Sequence, residues 1–377
     1  MADTKDKKKL NILLLGECSN LHNTLAKGLR EIGHNVTVVS DGSGWMNNDR
    51  DIDITRKSNR FTDSLIYLCR ILMYLPRMTN YDIVQIKHPC MFDLRLFWNK
   101  LIYKYIRKKN KKVFLGAFNT DYFYIKTCFD KKTFEYSDYF IENTPVDLGI
   151  PKEDTVFWLS DEAKEYSHFV ADTCDGIIAC LYEYYVSYAT EYNSKTTYIP
   201  LPVDFSDIPD SRIRKIEKNS PVKFFIGIQK HRNKLKGTDI FYDALCLLKE
   251  KYPDRCIVHV AESIPYAQYK LMQQDSDVMI DQLYSYTPGM NGLLGISQGL
   301  VVIGGGEEAM YKLMHEEKLR PIINVKPSKE DVFNHLEEII LNADRIEKLS
   351  EQSILFSRKY HDLKQITAKY LEFWSSK

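Results

Sequence analysis

The most constraining feature of this sequence is a repeated alternation between short apolar runs rich in β-branched residues and longer segments with helical periodicity. Runs at 10–15, 36–39 and 83–86 have the length of buried strands, and the segment 22–32 between the first two spaces its apolar residues as a helix does. A strand–helix–strand unit of this kind is right-handed, and its repetition predicts a parallel sheet with helices on both faces. The predicted fold class is therefore α/β.

Two such series follow each other along the chain. The first continues with strands at 113–115 and 176–179. Prolines then interrupt segment 199–204, which predicts a domain boundary there. The second series contains strands at 224–228, 256–260, 278–280 and 301–303, and it ends in three helices beyond residue 329. We therefore predict two doubly wound, Rossmann-like domains that face each other across a cleft, at 1–203 and 204–360, and a last helix at 361–377 that returns to the first domain.

Charge and cysteine content narrow the class of protein. The 377 residues include 52 Lys or Arg and 51 Asp or Glu, a formal net charge of +1, so no nucleic-acid partner is expected. The eight cysteines form no CxxC pair or zinc-like spacing, which predicts reduced thiols and neither a metal site nor another cofactor. The polar N-terminus resembles no signal peptide, and no apolar run is long enough to span a bilayer, which predicts a cytoplasmic protein.

A cation-rich loop follows the first predicted strand of the second series. Gly227 lies at the end of that strand, and a helix follows the loop. The cations are Lys230, Arg232, Lys234 and Lys236. A diphosphate needs cations and backbone amides at close range, and a loop that leads into a helix N-terminus supplies both. The alternative is a lysine-rich turn in solvent.

Two glycine-containing loops follow later strands of the same series. The first leads into a helix at Gly289, Met290 and Asn291. The second is a triple glycine at 304–306, followed by Glu307 and Glu308, whose carboxylates can accept hydrogen bonds from ribose or sugar hydroxyls. Glycine lets backbone amides approach a phosphate closely, although a flexible turn also explains the triple glycine. Because parallel strands end at one edge of a sheet, the three loops predict one donor pocket.

These motifs resemble the retaining glycosyltransferases of the GT-B fold, in particular the family that includes mannosyl and glucosyl transferases of bacterial surface polysaccharides. Residues 236–239 resemble the lysine–glycine element of that family, and 277–278 resemble its strand before the glycine loop. Residues 289–302 resemble its glycine loop and following helix, and 199–204 resemble the motif that ends its first domain. The resemblance implies that a nucleoside diphosphate sugar is bound by a basic pair, with Lys236 in the role of the family's lysine.

Two positions that contact the donor in this family are changed. The usual arginine position holds Ile228, so the resemblance implies that Lys230 or Arg232 replaces it. In the first domain, the family often has a histidine after the strand at 113–115. Here the loop reads Gly-Ala-Phe-Asn-Thr-Asp, with Asp121 as the nearest polar candidate.

The paired glutamates of the family, eight positions apart, are also missing. Their positions hold Tyr286 and Leu294, and we expect Glu307 or Glu308 to take over the ribose contact. Glycosyl transfer requires stabilisation of the departing diphosphate, which Lys236 supplies, and of positive charge on the sugar ring. The leaving phosphate of a retaining enzyme can take the acceptor proton. We name Lys236 and Asp121 as the candidate catalytic residues.

The acceptor is expected to bind the first domain. Loops at 16–20 and 41–43 follow its first two strands, so Gly16, His22 and Asp41 are candidate acceptor contacts. For His22 the alternative is a solvent-exposed position at a helix N-terminus. The turn after the first strand lacks the GxGxxG fingerprint, which disfavours a dinucleotide-dependent oxidoreductase.

Residues 95–112 combine several aromatic and aliphatic side chains with a cluster of Lys and Arg, a pattern typical of a membrane-surface helix. A crossover helix with a solvated basic end is the simpler interpretation. The predicted partners are a nucleotide-sugar donor and a saccharide or lipid-linked acceptor. Peripheral contact with the inner face of the membrane remains a hypothesis.

Two other functions would use the same donor pocket. A sugar-nucleotide epimerase built on this two-domain frame would change the sugar while it stays attached to its nucleotide. A non-catalytic nucleotide-sugar binding protein, which the missing glutamates make credible, would bind the donor and never release free nucleoside diphosphate.

Overall fold

The computed structural model describes residues 9–43, 47–208, 211–217 and 220–377, and these form two compact units. The described parts of Met1–Lys126, Val156–Pro202 and Leu363–Lys377 make up the first unit. Thr127–Thr155 and Val203–Asp362 make up the second. The segment Thr127–Thr155, which the sequence assigns to the first domain, thus lies in the second unit. Part of the reason is apolar burial, because Leu148 packs into the core of that unit.

The strands of the described residues are two to seven residues long. They are β1 Asn11–Leu15, β2 Asn35–Ser40, β3 Ile52–Asp53, β4 Ile83–Ile86, β5 Lys112–Ala117, β6 Phe140–Ile141, β7 Thr144–Pro145, β8 Gly176–Ala179, β9 Thr196–Tyr198, β10 Val222–Ile228, β11 Cys256–Glu262, β12 Val278–Ile280, β13 Val301–Gly304 and β14 Ile322–Asn324.

The helices of the described residues connect these strands and close the chain. They are α1 Leu21–Glu31, α2 Phe61–Tyr74, α3 Leu96–Lys109, α4 Tyr122–Asp130, α5 Lys152–Trp158, α6 Asp161–Thr173, α7 Tyr182–Tyr192, α8 Asn233–Lys236, α9 Thr238–Lys251, α10 Tyr266–Gln274, α11 Met290–Ser297, α12 Glu308–Leu313, α13 Lys329–Leu341, α14 Arg345–Tyr360 and α15 Leu363–Ser376.

The first unit contains a seven-stranded parallel sheet in the order β3-β2-β1-β4-β5-β8-β9. The second contains a five-stranded parallel sheet in the order β11-β10-β12-β13-β14. In each sheet the chain adds strands first toward one edge and then toward the other. We call this reversal the change of winding; it lies between β1 and β4 in the first sheet and between β10 and β12 in the second. The predicted fold class, two doubly wound parallel-sheet domains, is confirmed.

Side chains on one face of the first sheet pack against α2, α3 and α6 in a single core. Leu13 and Leu15 of β1 belong to this core, whereas Leu14 between them does not, as the alternation of a strand requires. The last helix, α15, packs against α1, where the Thr367 side chain approaches Gly28 so closely that a Cβ there would lie 2.3 Å from its hydroxyl. The C-terminal helix is therefore an integral part of the first unit.

Three strand-to-helix turns share one local device, a buried carboxylate that accepts backbone N–H groups at the start of the next helix. The carboxylates belong to Glu17 before α1, Asp121 before α4 and Asp281 before α11, with donor–acceptor distances of 2.8–3.1 Å. These acceptors satisfy amide groups that a helix cannot pair internally. Burial raises the pKa of Glu17 to about 7 and the pKa values of Asp121 and Asp281 to about 6, although the hydrogen bonds oppose the shift.

We expect the Glu17 carboxylate to make stability depend on pH. Because burial raises its pKa from 4.5 to about 7, its proton stabilises the folded state at low pH, and this contribution is lost as the pH rises through that interval. Glu17→Gln retains an acceptor for the helix and removes the titration. Between about pH 5 and 8, the wild type should lose roughly 2.5 kcal/mol of unfolding free energy relative to the variant.

Urea unfolding of both proteins at the two pH values measures this difference. Glu31→Gln, which changes an exposed carboxylate of the same helix, is the matched control. A stability difference between wild type and Glu17→Gln that stays constant with pH would contradict the raised pKa.

Candidate functional site

The predicted donor residues lie at the carboxyl edge of the second sheet, on loops that border its change of winding. β10 pairs with both β11 and β12, so the loops that follow β10 and β12 leave the sheet in different directions. Open α/β sheets bind ligands in the crevice that such a divergence creates. The loop after β10 carries the cations, and the loop after β12 leads into α11.

Backbone hydrogen bonds connect the loops that follow β10, β12 and β13. The donor and acceptor pairs are Leu283 N to Lys236 O (3.0 Å), Gly305 N to Gln282 O (3.1 Å) and Glu307 N to Tyr286 O (3.1 Å). The structure therefore brings together the three loops that the sequence selects, and it holds them by contacts independent of their side chains.

Lys236 lies at a rigid corner of this edge. It ends α8 and precedes Gly237, whose φ of +66° and whose approach to Leu283 leave no space for a Cβ, which would lie 2.5 Å from the Leu283 Cβ. Burial lowers the pKa of Lys236, and the Asp281 carboxylate raises it. A half-buried cation thus lies within electrostatic range of a buried carboxylate.

Lys230 and Arg232 differ from Lys236 in their exposure. Both are solvent-exposed, and the Lys230 ammonium lies 3.9 Å from the Glu262 carboxylate, a weak surface pair. Arg232 is close enough to Lys236 to lower its pKa further. The predicted basic cluster is therefore one fixed lysine flanked by two exposed cations.

Asp281 is a residue of this site that the sequence analysis missed. Its carboxylate accepts a hydrogen bond from Gly289 N at 2.9 Å, at the start of α11. A Cβ at Gly292 would lie 2.4 Å from the same carboxylate, so that position requires glycine. The sequence feature that could have indicated Asp281 is an aspartate directly after a strand and before a glycine-containing helix start.

The other predicted contacts at this edge meet around one tyrosine. The Tyr269 ring lies against Gly227, where a Cβ would be 3.2 Å from it, and its hydroxyl donates to Asn291 Oδ1 at 2.7 Å. Gly227 and Asn291 are thereby linked, and Met290 begins α11 between Gly289 and Asn291.

Glu307 receives three hydrogen bonds, all on one carboxylate oxygen. The donors to its Oε1 are the Tyr136 hydroxyl (2.8 Å), Asn324 Nδ2 (2.8 Å) and Lys326 Nζ (2.9 Å). Burial raises the pKa of Glu307, but these donors outweigh it and hold the pKa below its usual value. Its second oxygen, Oε2, accepts no hydrogen bond from the part of the chain that the structure describes.

Glu308 lies on the surface instead. Its carboxylate is 2.8 Å from the Arg320 guanidinium in a largely exposed ion pair. Glu308 therefore does not share the group of donors that surrounds Glu307. The triple glycine before these residues is closely packed, because a Cβ at Gly305 would lie 2.1 Å from the Ser285 carbonyl. The alternative of a flexible turn at this position is therefore wrong.

Tyr286, at the position of a family glutamate, has a structural role. Its ring stacks on Tyr136 with centroids 4.9 Å apart, and its hydroxyl accepts a hydrogen bond from Glu135 N at 2.6 Å. Glu135 also pairs with Lys326 at 2.6 Å. The segment Thr127–Thr155 thus contacts the loops at this edge, which no local sequence signal indicated.

In the first unit, Gly16 and His22 lie together at the carboxyl end of β1. Gly16 has a φ of +84°, and a Cβ there would lie 2.5 Å from the Lys87 side chain. His22 is buried, and its Nδ1 lies 2.6 Å from the Gly16 carbonyl. Because a carbonyl only accepts, Nδ1 carries the hydrogen, and burial lowers the His22 pKa to about 4.

The second nitrogen of His22, Nε2, is buried and has no hydrogen-bond partner among the described residues. A neutral imidazole with Nδ1 protonated has a lone pair on Nε2, so this atom can accept one hydrogen bond. The alternative of a solvent-exposed His22 is wrong.

Asp41 and Asp121 are placed differently. Asp41 is exposed after β2 and accepts a hydrogen bond from Ser43 N at 3.0 Å. Asp121 has no exposed surface and accepts the Tyr188 hydroxyl at 2.5 Å in addition to the start of α4. Its burial and its occupied oxygens give it a structural role, so we leave it out of the proposed catalytic groups.

The described residues contain no group of three or more His, Cys, Asp or Glu side chains that could hold a metal ion. None of their helices is both long and apolar enough to cross a membrane. The eight cysteines are free thiols, four of them buried.

Comparison with known proteins identifies the fold. No protein-family model matches the chain, and no curated protein matches it in sequence. Among solved structures, HepE of Anabaena in complex with UDP and glucose is 12% identical, with a TM-score of 0.61 over 98% of this chain and 100% of its own. Sucrose-phosphate synthase of Thermosynechococcus elongatus is also 12% identical, with a TM-score of 0.62 over 98% and 99%.

A third similar structure is a Listeria monocytogenes protein assigned as a UDP-N-acetylglucosamine 2-epimerase. It is 9% identical, with a TM-score of 0.56 over 97% of this chain and 95% of its own. At these identities the similarity concerns the fold. The resemblance to GT-B glycosyltransferases is thus confirmed for the architecture, and the chain has the two-domain fold that these proteins share.

Proposed function

We propose that this protein is a glycosyltransferase that transfers a sugar from a nucleoside diphosphate sugar to a saccharide or lipid-linked acceptor. The observation that carries the proposal is the cation-bearing edge of the second sheet, where the Lys236 carbonyl accepts Leu283 N and its half-buried side chain interacts electrostatically with Asp281 before α11. Cations in this position suit a diphosphate leaving group, whose developing charge they stabilise. The similar fold of UDP-bound HepE supports the same assignment.

Each donor contact has a proposed task. Lys236 binds the diphosphate and stabilises its charge during transfer, and Lys230 and Arg232 add exposed positive charge. Gly227 and Gly289 to Asn291 line the crevice with backbone groups. Glu307 accepts a hydrogen bond from a ribose hydroxyl through Oε2, because Tyr136, Asn324 and Lys326 already donate to its other oxygen and orient the carboxylate.

The acceptor is proposed to bind the first unit. There, His22 Nε2 accepts a hydrogen bond from an acceptor hydroxyl, beside Gly16, and Asp41 supplies an exposed polar contact. Retention of configuration, with the leaving phosphate taking the acceptor proton, and a role in surface polysaccharide synthesis rest on the sequence resemblance.

The epimerase alternative is kept because one protein of similar fold is assigned that activity. An epimerase turns over without an acceptor, and its product is a changed sugar still attached to the nucleotide. A non-catalytic binding protein would bind the donor without any turnover.

A thermal-shift panel of UDP, GDP, ADP and their sugars tests the proposal, followed by assay of nucleoside diphosphate release from the most stabilising donor. We expect a selective shift and release that depends on an added acceptor. An altered nucleotide sugar formed without acceptor would identify an epimerase. A thermal shift without nucleoside diphosphate release in a wide acceptor panel would identify a binding protein. The absence of a thermal shift with every nucleotide would contradict the proposed donor site.

Replacement of Lys236 should weaken donor binding. Lys236→Ala removes a charged contact to the diphosphate, so the Kd for the preferred nucleoside diphosphate should rise about 10-fold to 100-fold, or roughly 1.5–3 kcal/mol. Isothermal titration measures the change. Lys234→Ala, which alters an exposed lysine of the same short helix, is the control and should leave the Kd unchanged. Equal effects of both variants would exclude a specific role for Lys236.

Replacement of His22 should affect the acceptor and not the donor. His22→Asn retains a donor for the Gly16 carbonyl and removes the acceptor atom Nε2, so we expect KM for the acceptor to rise about tenfold. Steady-state kinetics measures KM, and titration with nucleoside diphosphate should give an unchanged Kd. Unchanged acceptor KM, with a wild-type melting temperature, would rule out this contact.

A further inference from the structure

Helix α2 has its apolar side chains on the face that is turned to solvent. Only two residues of this helix are buried, Tyr67 and Ile71, which pack into the core of the first unit. Its exposed apolar side chains are Phe61 (83% exposed), Leu65, Ile66, Cys69, Leu72 and Met73 (65%). A surface helix of a globular protein normally shows the opposite arrangement.

These exposed side chains form one continuous stripe. At about 100° per residue they fall within an arc of about 140°, which also contains the polar residue Thr62. The charged residues of the helix, Asp63 and Arg70, lie outside this arc. Arg70 donates to the Thr55 carbonyl at 2.8 Å, and Asp63 accepts a hydrogen bond from the Ser58 hydroxyl. The outer face of α2 is therefore apolar along its whole length.

Helix α3 extends this surface with cations. Its exposed stripe consists of Phe97, Leu101, Lys104 and Lys108, which follow one another at helical spacing. Residues of α2 and α3 enter the same core against one face of the seven-stranded sheet, so both helices present their outer stripes on the same side of the unit. We call the outer stripes of α2 and α3 together the α2–α3 surface.

Charge is concentrated on these two segments. Residues 56–78 contain five Lys or Arg and one acidic residue, and residues 95–112 contain eight Lys or Arg and no acidic residue. The two segments thus carry +12 in a chain with a formal net charge of +1, so the rest of the protein is acidic. Lys57, Arg60 and Arg77 are exposed at the two ends of α2.

We propose that the α2–α3 surface docks the first unit on the surface of an anionic lipid bilayer. The apolar stripe of α2 would insert at the level of the headgroups, and the lysines of α3 and the cations at the ends of α2 would bind lipid phosphates. A membrane explains both features together, since apolar insertion and positive charge act on the same side of the unit. A docked first unit also fits the lipid-linked class of acceptor, a point that rests on the proposed function.

Charge distinguishes this surface from other exposed apolar side chains of the first unit. Helix α5 exposes Val156 and Phe157, but Glu153 and Asp154 precede them within the same helix. An anionic bilayer would repel that region. The combination of an apolar stripe and excess positive charge is what selects the α2–α3 surface.

Vesicle flotation of the full chain tests the proposal. The vesicles contain phosphatidylcholine alone or about three parts phosphatidylcholine to one part phosphatidylglycerol. We expect the wild type to float with the anionic vesicles, and less so as salt is raised. Ile66→Gln with Met73→Gln, and separately Lys104→Gln with Lys108→Gln, should each weaken binding by at least about tenfold.

The control pair is Leu247→Gln with Leu355→Gln, two exposed leucines of the second unit, and it should bind as the wild type does. Melting temperatures verify that each variant is folded. Absence of wild-type flotation, or equal losses in the control pair, would overturn the proposal. So would concentration-dependent dimerisation that the Ile66→Gln and Met73→Gln changes abolish, since the stripe would then bind a second copy of the chain. Because flotation needs no donor or acceptor, its outcome is independent of the proposed activity.

Discussion

Buried carboxylates at the carboxyl ends of β-strands occupy the backbone amides at three helix starts, in both sheets. Glu17, Asp121 and Asp281 each follow a strand and accept amide groups at the start of the next helix. A free helix N-terminus attracts anions, but these starts already hold the protein's own carboxylates. In the proposed function, the positive side chain of Lys236, rather than an open end of α11, therefore attracts the diphosphate.

Tyr286 occupies a position that the sequence resemblance aligns with a glutamate, and its contacts here are structural. Its ring packs on Tyr136, while the Tyr136 hydroxyl and Lys326 bind Glu307. The segment that contains Tyr136 belongs to the second unit, so it supports the same edge that carries the donor loops. In the proposed function, Glu307 contacts the ribose through Oε2, the carboxylate oxygen that accepts no hydrogen bond from the described residues.

The proposed donor edge, a buried histidine and the α2–α3 surface are distributed over the two units. The first unit carries His22 and the α2–α3 surface, and the second carries Lys236 and Glu307. Glycosyl transfer to a lipid-linked acceptor needs these capabilities together, namely donor binding, acceptor binding and access to a bilayer. At 12% identity, the similarity to HepE concerns the fold.

The sequence by itself determined the α/β class, most strand positions and the three loops of the donor edge, because burial on both faces leaves long apolar runs and strand ends leave glycine and polar residues. It did not reveal the edge strands β3, β9 and β14, which are only two or three residues long and so give too short a pattern to recognise. Only the tertiary structure decided that Asp121 is a buried helix cap, that His22 is buried with Nε2 unpaired among the described residues, and that Tyr136 and Lys326 bind Glu307. These assignments depend on contacts between residues far apart in the chain, and local sequence carries no record of which distant side chain fills a given space.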